Sequence, residues 1–145
     1  MREIQGDLFE QRVDATCITT NGYVKTNGQA VMGRGVALQA AERWPDLPRH
    51  LGERIRQSGN HVGVLAHNEM AGWIVAFPVK YHWRKPANTD LIRQSTEELV
   101  MLARQMRWNT VALPRPGCGN GGLSWSVVRR ILEHWLDDRF VVVER

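Results

Sequence analysis

The basic side chains of this sequence are almost all arginines, with Lys25, Lys80 and Lys85 as the only lysines among 19 basic residues. Arginine stays protonated in proteins, whereas a partly desolvated lysine can act as a base or a nucleophile. Lys80 follows Phe77-Pro78 at the end of a β-prone segment, which predicts a position at the ligand-binding edge of a sheet. Lys80 is therefore the first candidate for catalysis, and an exposed, solvated lysine is the alternative.

Glycines concentrate in two places: four of the 13 lie in 21–35 and four in 117–122. Each cluster follows a predicted strand and precedes a predicted helix, where free backbone N–H groups and the positive end of the helix dipole attract anions. Two such loops could clamp a diphosphate, and turns or close helix packing are the alternative use of the glycines. Neither cluster matches GxGxxG or GxxxxGK[ST], which disfavours a common NAD dehydrogenase or a P-loop enzyme.

The segments that must hold these loops alternate between strand-like and helix-like patterns, which favours an α/β layered fold. The predicted strands cover 14–20, 61–66, 73–79, 109–113 and 140–143, and the predicted helices cover 33–44, 47–57, 88–106 and 124–138. Asn88 is the expected N-cap of the third helix. The unbroken apolar run 140–143 predicts a strand that is covered on both faces.

Length and composition predict one globular domain over residues 1–145, with 43% hydrophobic and 23% charged residues. No membrane-spanning run or signal peptide is visible, so we expect a cytoplasmic monomer that does not bind membranes. Cys17 and Cys118 are far apart and the histidines are isolated, so we expect no disulfide scaffold, no metal and no cofactor. The net charge of +4 permits a nucleic-acid partner, although GC-rich coding also explains an excess of arginine.

Five short motifs occur in one order along nearly the whole chain: Gly6-Asp7-Leu8, Thr20-Asn21, and the segments 32–37, 77–80 and 116–123. With these motifs the sequence resembles the macrodomain family of ADP-ribose-binding modules. The resemblance implies a three-layer α/β/α fold with a central mixed sheet. Segments 77–84 (FPVKYHWR) and 117–125 (GCGNGGLSW) are similar to the DarG type, antitoxins that remove ADP-ribose from thymidine bases in DNA. The stretch 22–30 is an insertion that the usual DarG type lacks.

The resemblance also implies roles for individual residues. Asp7 would accept a hydrogen bond from the adenine amino group, and a turn-capping role is the alternative. Asn21 would bind the distal ribose and assist catalysis, and an Asn-Gly turn is its alternative. The implied ADP-ribose-binding residues are Asp7, Leu8, Thr20, Asn21, Met32, Gly33, Arg34, Gly35, Val36, Pro116, Gly117, Cys118, Gly119, Asn120, Gly121, Gly122 and Leu123.

Lys80 would act at the anomeric carbon of the distal ribose as a base, an electrostatic stabiliser or a transient nucleophile, and these three roles stay open. Related terminal ADP-ribose protein glycohydrolases carry an aspartate at the position that Gly121 occupies here, so their lysine–aspartate mechanism does not transfer whole. Cys118 is expected to pack within its loop, since no partner base is identifiable.

The residues after Lys80 suit single-stranded DNA. His82, Trp83 and Arg84 combine aromatic and cationic groups that could stack on bases and contact phosphate, and an inward-packed Trp83 is the alternative. The sequence thus predicts an ADP-ribosyl hydrolase that removes mono-ADP-ribose from a macromolecule, with thymidine in DNA as the favoured substrate. A non-catalytic reader of ADP-ribose and a hydrolase of protein-linked or small-molecule ADP-ribose esters are the alternatives.

Overall fold

The fold is a sheet of six strands with helices on both faces. The structure is a computed structural model that describes all 145 residues. The strands are β1 (Arg2–Gln5), β2 (Ala15–Asn21), β3 (Gly63–Asn68), β4 (Gly72–Lys80), β5 (Val111–Leu113) and β6 (Phe140–Glu144). The helices are α1 (Val36–Arg43), α2 (Leu47–Ser58), α3 (Thr89–Met106) and α4 (Trp125–Glu133), with a short 3-10 helix at Leu8–Glu10.

The strands lie in the order β1-β6-β5-β2-β4-β3. All strands except β3 run parallel to their neighbours, and β3 pairs antiparallel with β4 at the edge. The predicted central mixed sheet is therefore confirmed. Because the parallel strands share one direction, the segments that follow β1, β2, β4, β5 and β6 all leave the sheet at the same edge.

Alternate side chains of each interior strand enter opposite cores. In β4, Val75 and Phe77 pack in a core that also holds apolar residues of α3 and α4, whereas Ile74 packs in a second core with Ala40 of α1 and Leu47 of α2. The sheet is thus the middle of three layers, as predicted. No helix is both long and apolar enough to cross a bilayer.

The side chains of the apolar run in β6 also alternate between the two cores. Phe140 and Val142 enter the first core, and Val141 and Val143 enter the second. The predicted coverage of this strand on both faces is confirmed. The predicted cap of α3 is also present, because the Asn88 side chain accepts a hydrogen bond from the Leu91 N–H at 3.0 Å.

The strand predicted over 109–113 starts later, at Val111. The N–H groups of Asn109 and Thr110 donate to the Asp14 carboxylate at 2.6 and 3.1 Å. These donors are thereby engaged by a side chain, and the regular ladder begins only after them.

The helix predicted over 124–138 is shorter than expected and ends at Glu133. Directly after Glu133, the Trp135 N–H donates to the Leu132 carbonyl at 3.0 Å, a tighter bond of the 3-10 type, and further on the Asp137 carboxylate accepts from the Arg139 N–H at 3.0 Å. Beyond the end of the helix, Leu136 is still buried, whereas Trp135 is 39% exposed and does not pack in the core.

Candidate active site

One large cleft, of about 1220 Å³, opens at the carboxyl edge of the parallel strands. Candidate residues from five separate parts of the chain line it. They are Asp7, Leu8, Thr20, Asn21, Met32, Gly33, Arg34, Gly35, Val36, Lys80, Trp83, Arg84, Gly117, Gly119, Asn120 and Gly121. The remaining candidates, Pro116, Cys118, Gly122, Leu123 and His82, lie close by in the chain but do not line the cleft.

The second glycine-rich loop, residues 117–122, is folded by its own backbone. The Leu123 N–H donates to the Gly117 carbonyl at 2.9 Å, and the Gly122 N–H donates to the Gly119 carbonyl at 3.2 Å. The backbone N–H groups of residues 119–121 donate to no acceptor in the chain. This loop therefore presents consecutive free donors to the cleft, as an anion site requires.

The first glycine-rich loop ends where α1 begins. The N–H groups of residues 33–36 have no acceptor in the chain, and they stand at the positive end of the α1 dipole. Gly33 and Gly35 have φ of 66° and 71°, a left-handed conformation that side-chain-bearing residues seldom adopt. A Cβ on Gly35 would lie 3.5 Å from the Asn120 side-chain nitrogen, so the two loops face each other across the cleft.

Lys80 lies at the end of β4, directly beside Asn21 at the end of β2. The two residues are partners in the parallel ladder, after a register shift between Thr20 and Asn21. The Lys80 Nζ lies 3.5 Å from the Asn120 carbonyl oxygen, and its side chain is half-buried. The strand ends thus bring an amide and an ammonium group together under the second loop.

Asn21 is buried and has structural bonds of its own. Its Nδ2 donates to the Val31 carbonyl at 2.8 Å, and its Oδ1 accepts from the Tyr23 N–H at 3.0 Å. The turn-forming alternative is therefore realised. A primary amide carries two N–H groups, so one hydrogen of Nδ2 is still available to a ligand.

The stretch 22–30, which the resemblance implies to be an insertion and which we call the insertion hairpin, is an ordered part of the fold. Val24 and Ala30 form an antiparallel bridge. The Ala30 N–H donates to the Pro48 carbonyl at 2.9 Å, and the Arg56 guanidinium donates to the Lys25 carbonyl at 3.1 Å. Helix α2 therefore holds the hairpin at the rim of the cleft.

Asp7 uses one carboxylate oxygen for structure. Its Oδ1 caps the 3-10 helix by accepting from the Phe9 N–H at 2.9 Å. Its Oδ2 lies 3.9 Å from the Arg43 guanidinium, and the side chain is 31% exposed. Oδ1 thus has the capping role that was the alternative for this residue. Oδ2 still has lone pairs that can accept a hydrogen bond from a ligand at this end of the cleft.

Thr20 is 5% exposed, and its hydroxyl oxygen has no hydrogen-bond partner in the chain. Buried polar groups are normally paired, and an unpaired one is costly unless a ligand or water completes it. Because Thr20 lines the cleft, its hydroxyl is available to a bound molecule.

Sequence reasoning missed several residues that line the cleft, among them Tyr23, Lys25, Arg115 and Glu144. The Arg115 guanidinium bonds to Glu144 at 3.0 Å and lies 4.8 Å from the centre of the Trp125 ring. Its place between Pro114 and Pro116, directly before the second loop, is a signal that could have drawn attention to it.

The cleft carries the positive charge of the molecule. Six basic and two acidic side chains line it, an excess of four that equals the net charge of the whole chain. The charged side chains elsewhere are therefore balanced in number, and the cleft is the part of the molecule that favours an anionic ligand. No three His, Cys, Asp or Glu side chains come together in a group that could hold a metal.

Two positions in the second loop bear on mechanism. Burial raises the pKa of the Cys118 thiol, with a smaller opposing effect from Arg115, and its Sγ lies 3.4 Å from the Pro116 carbonyl. These features suit packing and not nucleophilic attack. At Gly121, a Cβ would lie 2.5 Å from the Gly117 carbonyl and 2.8 Å from the Ala87 Cβ. This loop conformation therefore has no room for an aspartate there.

The Macro domain family model matches residues 25–132, and the chain belongs to that family. Within it, the chain is similar to solved DarG macrodomains. That of Thermus aquaticus is 31% identical with a TM-score of 0.83, over 99% of this chain and 97% of that one. That of Mycobacterium tuberculosis is 28% identical with a TM-score of 0.81, over 98% and 97%.

A longer relative from Thermus aquaticus, named DNA ADP-ribosyl glycohydrolase, is 32% identical over 142 residues. The match covers 94% of this chain but 38% of that protein. The chain thus spans less than half the length of this relative, and the similarity concerns its macrodomain.

Proposed function

We propose that this chain hydrolyses the bond between mono-ADP-ribose and a modified macromolecule, with thymidine in DNA as the substrate. The observation that carries this proposal is the adjacent pair of Asn21 and Lys80 inside a cleft rich in free N–H donors. The similarity to proteins named DNA ADP-ribosyl glycohydrolase supports it.

The order of groups along the sheet edge fits ADP-ribose. Asp7 follows β1, the second loop follows β5, the first loop follows β2, and Lys80 ends β4. This order offers an adenine acceptor, then two diphosphate-binding loops, then polar groups for the distal ribose. From β1 to β4 there are four strand spacings, about 19 Å, enough for an extended dinucleotide-like molecule.

The reaction breaks the bond between the anomeric carbon of the distal ribose and the attached group. Water supplies its oxygen to that carbon, and the leaving nitrogen or oxygen departs with a proton. Lys80 stands at the ribose end of the cleft. As an ammonium group it would stabilise developing negative charge, and as a neutral amine it would accept the proton of water or form a transient bond to the carbon. Asn21 would orient the ribose hydroxyls through its remaining amide hydrogen.

The macromolecular part of the substrate would lie beyond Lys80. Trp83 is 40% exposed, so the inward-packed alternative does not hold. The Arg84 guanidinium lies 4.7 Å from the centre of the Trp83 ring, and His82 stacks on that ring at 5.6 Å. Exposed aromatic and cationic groups in this arrangement suit a single strand of DNA.

The deciding experiment compares the wild type with Lys80→Ala on three ligands: single-stranded DNA carrying ADP-ribosyl-thymidine, a peptide carrying ADP-ribosyl-glutamate, and free ADP-ribose. Lys85→Ala is the matched control, because Lys85 is an exposed lysine outside the cleft. We expect the wild type and Lys85→Ala to release ADP-ribose from the DNA. The Lys80→Ala variant should bind free ADP-ribose but be slower by about 10²- to 10⁴-fold.

Each other outcome has a definite meaning. If the wild type binds free ADP-ribose but releases it from neither conjugate, the protein is a reader and the hydrolase proposal fails. Release from the peptide but not from the DNA excludes thymidine as the substrate. Equal rates for Lys80→Ala and Lys85→Ala exclude Lys80 from the reaction.

A further inference from the structure

A row of aromatic rings joins the insertion hairpin to the segment after Lys80. The centres of the Tyr23 and His82 rings are 4.7 Å apart, and those of His82 and Trp83 are 5.6 Å apart. Arg84 then covers the Trp83 ring at 4.7 Å. We call these residues, Tyr23, His82, Trp83 and Arg84, the aromatic row.

From this row we infer a second binding subsite, for an unmodified nucleobase next to the ADP-ribosylated one in single-stranded DNA. This inference rests on the proposed function, since it names the part of the substrate that ADP-ribose itself does not include. It makes Tyr23, from the insertion hairpin, a residue that determines specificity for a strand over an isolated nucleoside.

The location of the row supports the assignment. Tyr23 comes two residues after Asn21, and His82 comes two residues after Lys80, so the row starts where the proposed catalytic pair ends. With the distal ribose beside Asn21 and Lys80, as proposed, a base attached to that ribose would lie next to the row. A neighbouring base of the same strand would then lie within reach of the row.

The exposure of the rings supports it as well. Tyr23 and Trp83 are each 40% exposed, and both line the cleft. Exposed rings beside cations are the usual platform for bases of any sequence, because every base has a π face, and a base that stacks on Trp83 would replace the Arg84 guanidinium over that ring. Lys25 and Arg84 also line this side of the cleft and supply positive charge for the phosphates that flank a base.

Both chain segments that carry the row are anchored in the fold. The His82 ring accepts a hydrogen bond from the Arg84 N–H at 3.1 Å, which fixes the ring within its turn. On the other side, Gly28 of the insertion hairpin packs so closely on Gly52 of α2 that a Cβ on Gly52 would collide with the Gly28 carbonyl. The turn that carries His82 and the hairpin that carries Tyr23 are therefore both held by the fold.

The test measures binding without turnover, in the Lys80→Ala background. Calorimetry gives the Kd for the isolated ADP-ribosyl-thymidine nucleoside and for a short single strand carrying one ADP-ribosyl-thymidine, and the Kd of the nucleoside divided by that of the strand is the gain in affinity supplied by the rest of the strand. Tyr23→Ala and Trp83→Ala should each lower this ratio roughly 5- to 150-fold, the loss of one stacked base. Trp135→Ala is the matched control, because Trp135 is equally exposed, at 39%, and lies outside the cleft.

The inference is overturned if the ratio is the same in Tyr23→Ala, Trp83→Ala and Trp135→Ala, or if the unsubstituted background shows no preference for the strand. Because the measurement needs no catalysis, these results are separate from a failure of the hydrolase proposal. A wild type that binds the strand through the row but releases nothing would refute hydrolysis and retain the subsite.

Discussion

Asn21 and Lys80 are neighbours in the β2–β4 ladder, and Asn60 holds them in place from one side. The Asn60 Nδ2 donates to the Lys80 carbonyl at 3.1 Å. The same side chain packs against Gly22, where a Cβ would lie only 2.9 Å from the Asn60 Cγ. Asn60 therefore connects the backbone after Asn21 to the backbone of Lys80, and we regard it as a positioning residue.

Removing this connection should impair turnover more than binding. Asn60→Ala deletes the donor, and Gly22→Ala pushes the Asn60 side chain away from the Lys80 carbonyl. Small displacements of a reacting group can cost up to about 10²-fold in rate. We expect both variants to lower kcat while KM for the ADP-ribosylated strand changes little. A raised KM at unchanged kcat would contradict the positioning role.

Removing the unpaired hydroxyl of Thr20 should have opposite effects on stability and on ligand binding. Thr20→Val keeps the shape of the side chain and removes a buried polar atom that has no partner within the chain. Leaving such an atom unpaired costs about 1–3 kcal/mol. We therefore expect a higher Tm without ligand and a weaker affinity for ADP-ribose. A lower Tm would show that the hydroxyl is already satisfied in the free protein.

The sequence was sufficient to predict the strand–loop–helix order and the candidates that follow from it, because these depend on local patterns. Lys80 and the two glycine-rich loops are visible in the order of residues alone. Tyr23 was missed because its contact with His82 joins segments that are distant along the chain. The crowding of Gly121 by Ala87 likewise depends on packing between separate segments, which periodicity does not encode.

Two glycines of the second loop should respond differently to the same substitution. A Cβ on Gly121 would meet the Gly117 carbonyl and the Ala87 Cβ, whereas a Cβ on Gly119 would meet nothing within 4 Å. Overpacking of this kind costs about 1–3 kcal/mol. Gly121→Ala should lower the free energy of unfolding by that amount, measured by urea titration, and Gly119→Ala should leave it nearly unchanged. Equal losses would refute the crowding at Gly121.

The thiol of Cys118 should be a poor nucleophile. Burial raises its pKa above the ordinary value, so the reactive thiolate forms only at higher pH than for a free cysteine. The other cysteine, Cys17, is fully buried and its pKa is raised by burial as well. Alkylation by iodoacetamide, followed by mass spectrometry across a pH series, should therefore begin at a higher pH than for a cysteine-containing peptide. Rapid modification near neutral pH would reopen a chemical role for Cys118.

Two substitutions of Asp7 separate its structural role as a helix cap from its proposed role in binding adenine. Asp7→Ala removes both the cap on the Phe9 N–H and the carboxylate that faces the cleft. Asp7→Asn retains an oxygen for the cap but lacks the negative charge. The Ala variant should lower Tm and weaken ADP-ribose binding by about 1.5–3 kcal/mol, whereas the Asn variant should weaken binding with little change in Tm.

A ligand change completes this test of Asp7. The hypoxanthine analogue of ADP-ribose carries a carbonyl where adenine carries an amino group, and a carboxylate repels that carbonyl. The wild type should therefore bind ADP-ribose more tightly than the hypoxanthine analogue. In Asp7→Asn this difference in affinity should be smaller, because the asparagine amide can donate a hydrogen bond to the hypoxanthine carbonyl. Calorimetric affinities for both ligands give the comparison. If the preference is the same in the wild type and in Asp7→Asn, Asp7 does not contact the adenine amino group.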